Sequence, residues 1–176
     1  MANLNCPIPN NINPLSPTGF QLSITKLPDV TFFCQEANIP SISLPEIDFR
    51  TPLSTIRIPG EVLTYGDLDI SFMVDEGMKN YMGIYNWLVG LGHPESFQQY
   101  TDFLANQTSP AVTELGKNFS DGTLQILGGS NTQVQSIQFN SLIPVDLGSL
   151  VFHSDVDDIN YLIGKATFKF TTFNFI

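Results

Sequence analysis

From Phe20 onward the chain alternates, with Phe20, Leu22 and Ile24 apolar and Gln21, Ser23 and Thr25 polar. Successive side chains of a strand point to opposite faces, so this spacing predicts a strand with one face buried. Pro28-Asp29 reads as a turn, and the largely apolar residues 30–38 as a second strand at hairpin distance, ended before Pro40. Pro40, Pro45, Pro52 and Pro59 then recur with β-prone pieces at 42–44 and 55–58 between them. Proline has no N–H to give to a ladder and is confined to edges. Residues 43–59 are therefore expected to form a long, edge-like hairpin projecting from the body. The first seventeen residues hold Pro7, Pro9, Pro14 and Pro17 among Asn and Ser, and are expected to form an extended arm.

A clear strand begins at Asp67, with Leu68, Ile70, Phe72 and Val74 on one face and Asp67, Asp69, Ser71 and Met73 on the other. The period then switches. Asp75 suits a helix N-cap, and Met78, Tyr81, Met82, Tyr85, Leu88 and Val89 recur at helical spacing, with Ile84, Trp87 and Leu91 widening the stripe. So apolar a helix should be buried on most sides, which puts Tyr81, Tyr85, Trp87 and Leu88 in the core, with Gly90, Gly92 and Pro94 as its end. Residues 93–121 read as an insertion, in which Phe97, Tyr100, Phe103 and Leu104 suit a second short helix broken at Thr108-Ser109-Pro110. Residues 123–127, 133–139 and 142–145 read as short strands separated by Gly128-Gly129 and Asn140-Ser141, with 150–153 a further candidate. A polar turn follows at 154–160. In the closing run, Phe168 and Phe170 occupy even positions but Phe173 and Phe175 odd ones. The apolar face therefore changes sides near Thr171-Thr172, which requires either a bulge or burial on both faces under a partner layer.

At 176 residues the chain has the length of one domain, assigned to 18–176, and can bury a core of its own. Charged residues make up 14% and hydrophobic ones 42%, against about 25% charged in an ordinary soluble domain. That balance argues against disorder. Depletion of charge also marks the buried centre of a protein–protein interface, which brings self-assembly into view. Seven Lys and Arg against seventeen Asp and Glu give a formal charge of −10, with no basic run, so the electrostatic footprint of a nucleic-acid binder is missing. Cys6 and Cys34 allow one bridge at most, and Cys34 suits a reduced, packed thiol. Without a charged-then-apolar leader at 1–13 or a run of eighteen apolar residues, the expectation is a soluble, unprocessed chain made in a cytoplasm.

Candidate chemistry is sparse. His93 and His153 lack the partner spacing of a metal site. Asp155, Asp157 and Asp158 lack the glycine and terminal glutamate of a calcium loop, and residues 127–130 match no phosphate-binding pattern. Asp67, Asp69 and Glu61 offer carboxylates, but nothing in the pattern raises a pKa there. No catalytic set assembles, so the chain is read as neither an enzyme nor a cofactor or metal binder.

Specific residues nevertheless accumulate in one order. They run Phe20-Gln21-Leu22-Ser23-Ile24, Phe32-Phe33-Cys34-Gln35, Asn38-Ile39-Pro40, Ile58-Pro59-Gly60, then Leu68-Asp69-Ile70-Ser71-Phe72-Met73-Val74-Asp75-Glu76, Asn80-Tyr81 and Ile84-Tyr85-Asn86-Trp87-Leu88. Ser141-Leu142-Ile143-Pro144, Leu147-Gly148-Ser149-Leu150 and Thr167-Phe168-Lys169-Phe170 complete the series. Over nearly the whole chain, and least at 93–121, this resembles the tail tube protein family of contractile-tailed bacteriophages, to which baseplate tube initiators and the type VI secretion tube protein are related. The resemblance implies a mainly β fold, a small β-barrel or sandwich with one packed α-helix and the long projecting hairpin. It implies six copies in a ring, rings stacked into a tube that passes DNA without binding it specifically, and sheath, baseplate and terminator proteins as partners. The virion tail, assembled in the host cytoplasm, would be its location. A β-sandwich carbohydrate-binding module is the reading from another class, and predicts a monomer with exposed aromatics.

Under this resemblance, Ser43-Leu44-Pro45-Glu46-Ile47-Asp48-Phe49-Arg50-Thr51-Pro52-Leu53-Ser54-Thr55-Ile56-Arg57 is the candidate ring-stacking hairpin. Asp67 and Asp69 alternate with core-facing Leu68 and Ile70 and so point away from the core. With Glu46, Asp48 and Glu61 they are the candidate lumen acids, since a repelling wall lets the dense negative charge of duplex DNA slide. Keeping a tube exterior soluble is the other role open to them.

Overall fold

The computed structural model describes residues 14–105, 118–154 and 161–176. Cys6, the break at Thr108-Ser109-Pro110 and the acids Asp155, Asp157 and Asp158 lie outside these residues. The chain runs β1 (Phe20–Ile24), α1 (Pro28–Phe33), β2 (Cys34–Ala37), β3 (Ile42–Ser43), β4 (Glu46–Arg50), β5 (Thr55–Pro59), β6 (Thr64–Tyr65) and β7 (Leu68–Met73). Then come α2 (Lys79–Gly92), α3 (Phe97–Ala105), β8 (Ser120–Leu127), β9 (Gln133–Leu147), β10 (Ile163–Lys169) and β11 (Thr172–Phe175). Seven strands form one antiparallel sheet in the order β1-β8-β9-β10-β7-β2, with β11 also on β9. The fold is mainly β with α2 packed against it, as expected, but it is not a closed barrel. No ladder joins the edge strands β1 and β2 among the described residues.

The sheet folds into two halves because β9 belongs to both. Its first part pairs with β8 and β11, and residues 143–147 pair with β10. The change falls at Ser141, whose φ of 59° lies in the left-handed region and whose N–H donates to Asp121 Oδ1 at 3.1 Å. The β8 register shifts between Ser120 and Gly122, directly opposite. Asn140-Ser141 is thus a bend within one strand, where two strands and a separator were expected. A bulge adds local twist while the ladder continues across it, and a polar pair in the sequence looks the same in either case.

The closing run makes the same crossing. Phe168 sits opposite Pro144 in one half and Phe173 opposite Phe139 in the other, with the step at Phe170-Thr171. Phe168 and Phe173 are both buried, so the irregularity expected near Thr171-Thr172 is present and no partner layer is needed to bury these two rings. Phe139, Phe170 and Phe173 pack at centroid distances of 5.2–5.8 Å, within the range of favourable aromatic pairs.

Residues 28–33 form a helix where a turn and the start of a strand were expected, and β2 pairs with β7 instead of β1. Pro28 stands at the start of the helix, where its fixed φ fits and its missing N–H costs nothing, and Asp29 sits in the first turn. Residues 150–154 carry no strand.

Helix α2 begins three residues later than an Asp75 cap would place it. Met78, with φ 53°, is the N-cap. Asp75 still serves the helix end from outside, accepting the N–H of Asn80 on Oδ1 at 3.3 Å and that of Met78 on its carbonyl at 2.9 Å. Buried Asn80 ties this end to β7 by donating from Nδ2 to the Met73 carbonyl at 2.7 Å. Ile84 and Trp87 are buried, Tyr81 and Leu88 half-buried. Tyr85 is exposed, which corrects the expectation that it lies in the core, and so is Met82 beside it. A helix packed against the sheet and α3 on one side leaves its opposite face uncovered, however apolar. Gly90 lies inside α2, where Phe103 of α3 packs against it, and His93 supplies the C-cap by donating its N–H to the Val89 carbonyl at 2.7 Å.

Candidate assembly interface

Strands β4 and β5 pair Ile47 with Ile58, Phe49 with Ile56, Asp48 with Arg57 and Arg50 with Thr55. Directly opposed residues point to the same face. One face therefore carries Ile47, Phe49, Ile56 and Ile58, and the other Glu46, Asp48, Arg50 and Arg57. Every residue of both strands is exposed. Such a two-stranded ribbon is marginal alone in water, and an exposed apolar strand pair is a template for another chain. Ile42, Leu44, Val62 and Leu63 extend the exposed apolar surface at its base.

Local bonds hold the hairpin in shape. At its tip Thr51 N–H donates to the Ser54 carbonyl at 2.9 Å, Thr51 Oγ1 donates to the same carbonyl at 2.6 Å, and Ser54 N–H donates back to Thr51 Oγ1 at 3.1 Å. At its neck Gly60 N–H donates to the Pro45 carbonyl at 2.7 Å, an approach so close that a Cβ at Gly60 would strike the Pro45 oxygen. Below the neck, β3 pairs with β6, and the Tyr65 ring lies 5.8 Å from Phe170 and 5.5 Å from Phe173. The hairpin is thereby anchored to the aromatic cluster at the fold of the sheet.

The candidate acids fall in three places. Asp67 and Asp69 project from the outer face of the sheet: Asp69 Oδ1 accepts from Thr167 at 2.7 Å, and Asp67 lies 3.8 Å from the Lys169 ammonium. Glu36 joins them on that face, accepting from Ser71 at 3.2 Å. Glu46 and Asp48 lie on the polar face of the hairpin, Glu46 3.7 Å from Arg57, and Glu61 is exposed on the return toward β6. Glu36 escaped the sequence reading because the residues before it were assigned to the wrong partner strand.

The remaining candidates serve structure. Trp87 Nε1–H donates to the Asn118 carbonyl at 3.1 Å, its ring lies 6.2 Å from Phe168, and the Lys26 ammonium sits 4.9 Å above it. Partial burial lowers Lys26 to about 8. Burial pushes the Cys34 thiol up to about 11, a backbone hydrogen bond at Glu36 opposing. His93 meets Phe97 edge to face and lies tilted against Tyr100. Among the described residues no group of three His, Cys, Asp or Glu side chains is placed to hold a metal ion.

The chain therefore presents a two-halved antiparallel sheet, one packed helix and an anchored, uncovered hairpin, an architecture found in the tube components of contractile machines. It is 29% identical over 168 residues to the tail tube terminator protein of Enterobacteria phage T4, an alignment that covers 92% of this chain and 88% of the relative. The tube-terminating cap of the anti-feeding prophage has the same fold, with a TM-score of 0.65 at 15% identity over 99% of both chains. A chain in the baseplate of the anti-feeding prophage has it too, with a TM-score of 0.63 at 12% identity over 93% of this chain and 96% of that one. No family model matches. The resemblance to contractile-tail tube proteins read from the sequence is borne out.

Proposed function

We propose that this chain is a structural protein of a contractile tail and forms the ring that terminates the tail tube. The carrying observation is the alignment with the phage T4 tail tube terminator over 92% of the chain, and the full-length likeness in fold to the anti-feeding prophage cap supports it. A stacking subunit of the main tube, the role implied by the sequence alone, and a baseplate tube initiator use the same architecture. They differ in what happens when the chain is missing. An amber mutation in its gene should leave tails whose tubes vary widely in length under the electron microscope. Absence of tubes indicates the main-tube or initiator role, and tails of normal length overturn all three.

In this reading six copies close a ring in the virion tail, next to tube and sheath proteins, and the hairpin at 43–57 carries a contact between subunits. Exposed aromatics such as Phe32, Phe49 and Phe97 are also what a carbohydrate-binding module would show, and the oligomeric state separates that reading, which requires a monomer. Asp67 and Asp69 face the lumen, where their charge repels passing DNA. Replacing both with Lys should preserve assembly but slow genome ejection, and unchanged ejection from intact particles removes them from the lumen.

A further inference from the structure

We propose that the hairpin tip of one copy seats Leu53 in the groove between β1 and α1 of a second copy. The proposal rests on the chain being a ring subunit, and adds where the subunits hold each other. Leu53 is 98% exposed, so the tip touches almost nothing in its own chain. Its backbone is nevertheless fixed by the three Thr51–Ser54 hydrogen bonds, which lowers the ordering cost of docking. A rigid apolar knob is then offered to solvent.

A receptor of matching character lies elsewhere on the same chain. Where α1 occupies the space between edge strands β1 and β2, a groove of about 350 Å³ is lined by Phe20, Leu22, Pro28, Phe32 and Cys34, with Gln21 and Thr31 as its polar members. Phe32 is 84% exposed at its rim.

Charge selects a copy of this chain as the occupant. Both arginines, Arg50 and Arg57, lie on the hairpin, where Glu46 and Asp48 balance them, so this element is neutral in a chain of formal charge −10. Arg50 directly precedes the tip. Asp29, in the first turn of α1, adjoins Pro28 of the groove. Copies that repel one another overall thus meet where a neutral, arginine-bearing element faces the Asp29 carboxylate. Knob and groove are different surfaces, so the contact is heterologous and repeats from copy to copy until the rotation closes a ring.

The test uses Leu53→Cys and Thr31→Cys, a groove residue, in separate full-length chains that both carry Cys6→Ser and Cys34→Ser. Co-assembled and oxidised with copper phenanthroline, the mixture should give a 53–31 disulfide dimer on a non-reducing gel, and neither chain alone should. Leu53→Asp should weaken self-association by roughly 10- to 100-fold while leaving the monomer's melting temperature unchanged. Rings seen by electron microscopy without the mixed disulfide, or a Leu53→Asp chain that assembles normally, overturn the groove contact and leave the ring reading standing. An unsubstituted chain that stays monomeric overturns both.

Discussion

Strand β7 and the β4–β5 hairpin follow the same local rule with opposite results. In β7, Leu68, Ile70 and Phe72 alternate with Asp69, Ser71 and Met73, and the apolar members are fully buried. In the hairpin, Ile47 and Phe49 alternate with Glu46, Asp48 and Arg50, yet the apolar members stay exposed. Period two says only that one face differs from the other. The face becomes core where a second layer of the same chain covers it, as the opposite half of the sheet and α2 do for β7. Among the described residues the hairpin has no such layer, and its apolar face stays open to solvent.

This contrast is sharpest for residues that look alike in sequence. Trp87→Ala removes a buried ring and should cost about 3–5 kcal/mol, a fall of roughly 6–20 °C in melting temperature by calorimetry. A melt unchanged by this substitution would put Trp87 on the surface as a stacking platform. Next in size is Gly122→Ala. The added Cβ collides with the buried Leu142 side chain at the bend of β9, and overpacking of this kind should cost about 1–3 kcal/mol in chemical denaturation.

On the hairpin the prediction reverses. Phe49→Ser with Ile56→Ser should change monomer stability by no more than about 0.5 kcal/mol per site but abolish assembly in sedimentation. A large loss of monomer stability would mean that the face is covered within its own chain. The smallest effect concerns Cys34. With its pKa raised from 9.0 to about 11, the native thiolate fraction at pH 8 is roughly a hundredfold below that of the unfolded chain, and reaction with a chromogenic disulfide should slow accordingly. The folded state holds this proton more tightly than the unfolded one. The associated stability is therefore complete below pH 9 and lost as pH rises toward 11. Equal thiol rates in folded and denatured protein would show that Cys34 is open to solvent.

Much of this molecule was legible because its code is local. The alternation at 20–24 and 67–74, the helical spacing through Trp87, the short helix at 97–104, the irregularity near Thr171 and the acids turned away from the core all follow from which side of a strand or helix a residue occupies. The apolar face of the hairpin was equally legible in Ile47, Phe49, Ile56 and Ile58. The four prolines of 40–59 drew attention to edges instead. Pairing was not legible. That β2 joins β7, that Ser141 bends a single strand, and that Tyr85 is left outside while Trp87 is inside are decided by contacts between residues far apart in sequence. A side chain's periodicity fixes the direction it points, and only the packing of distant elements fixes what, if anything, it meets there.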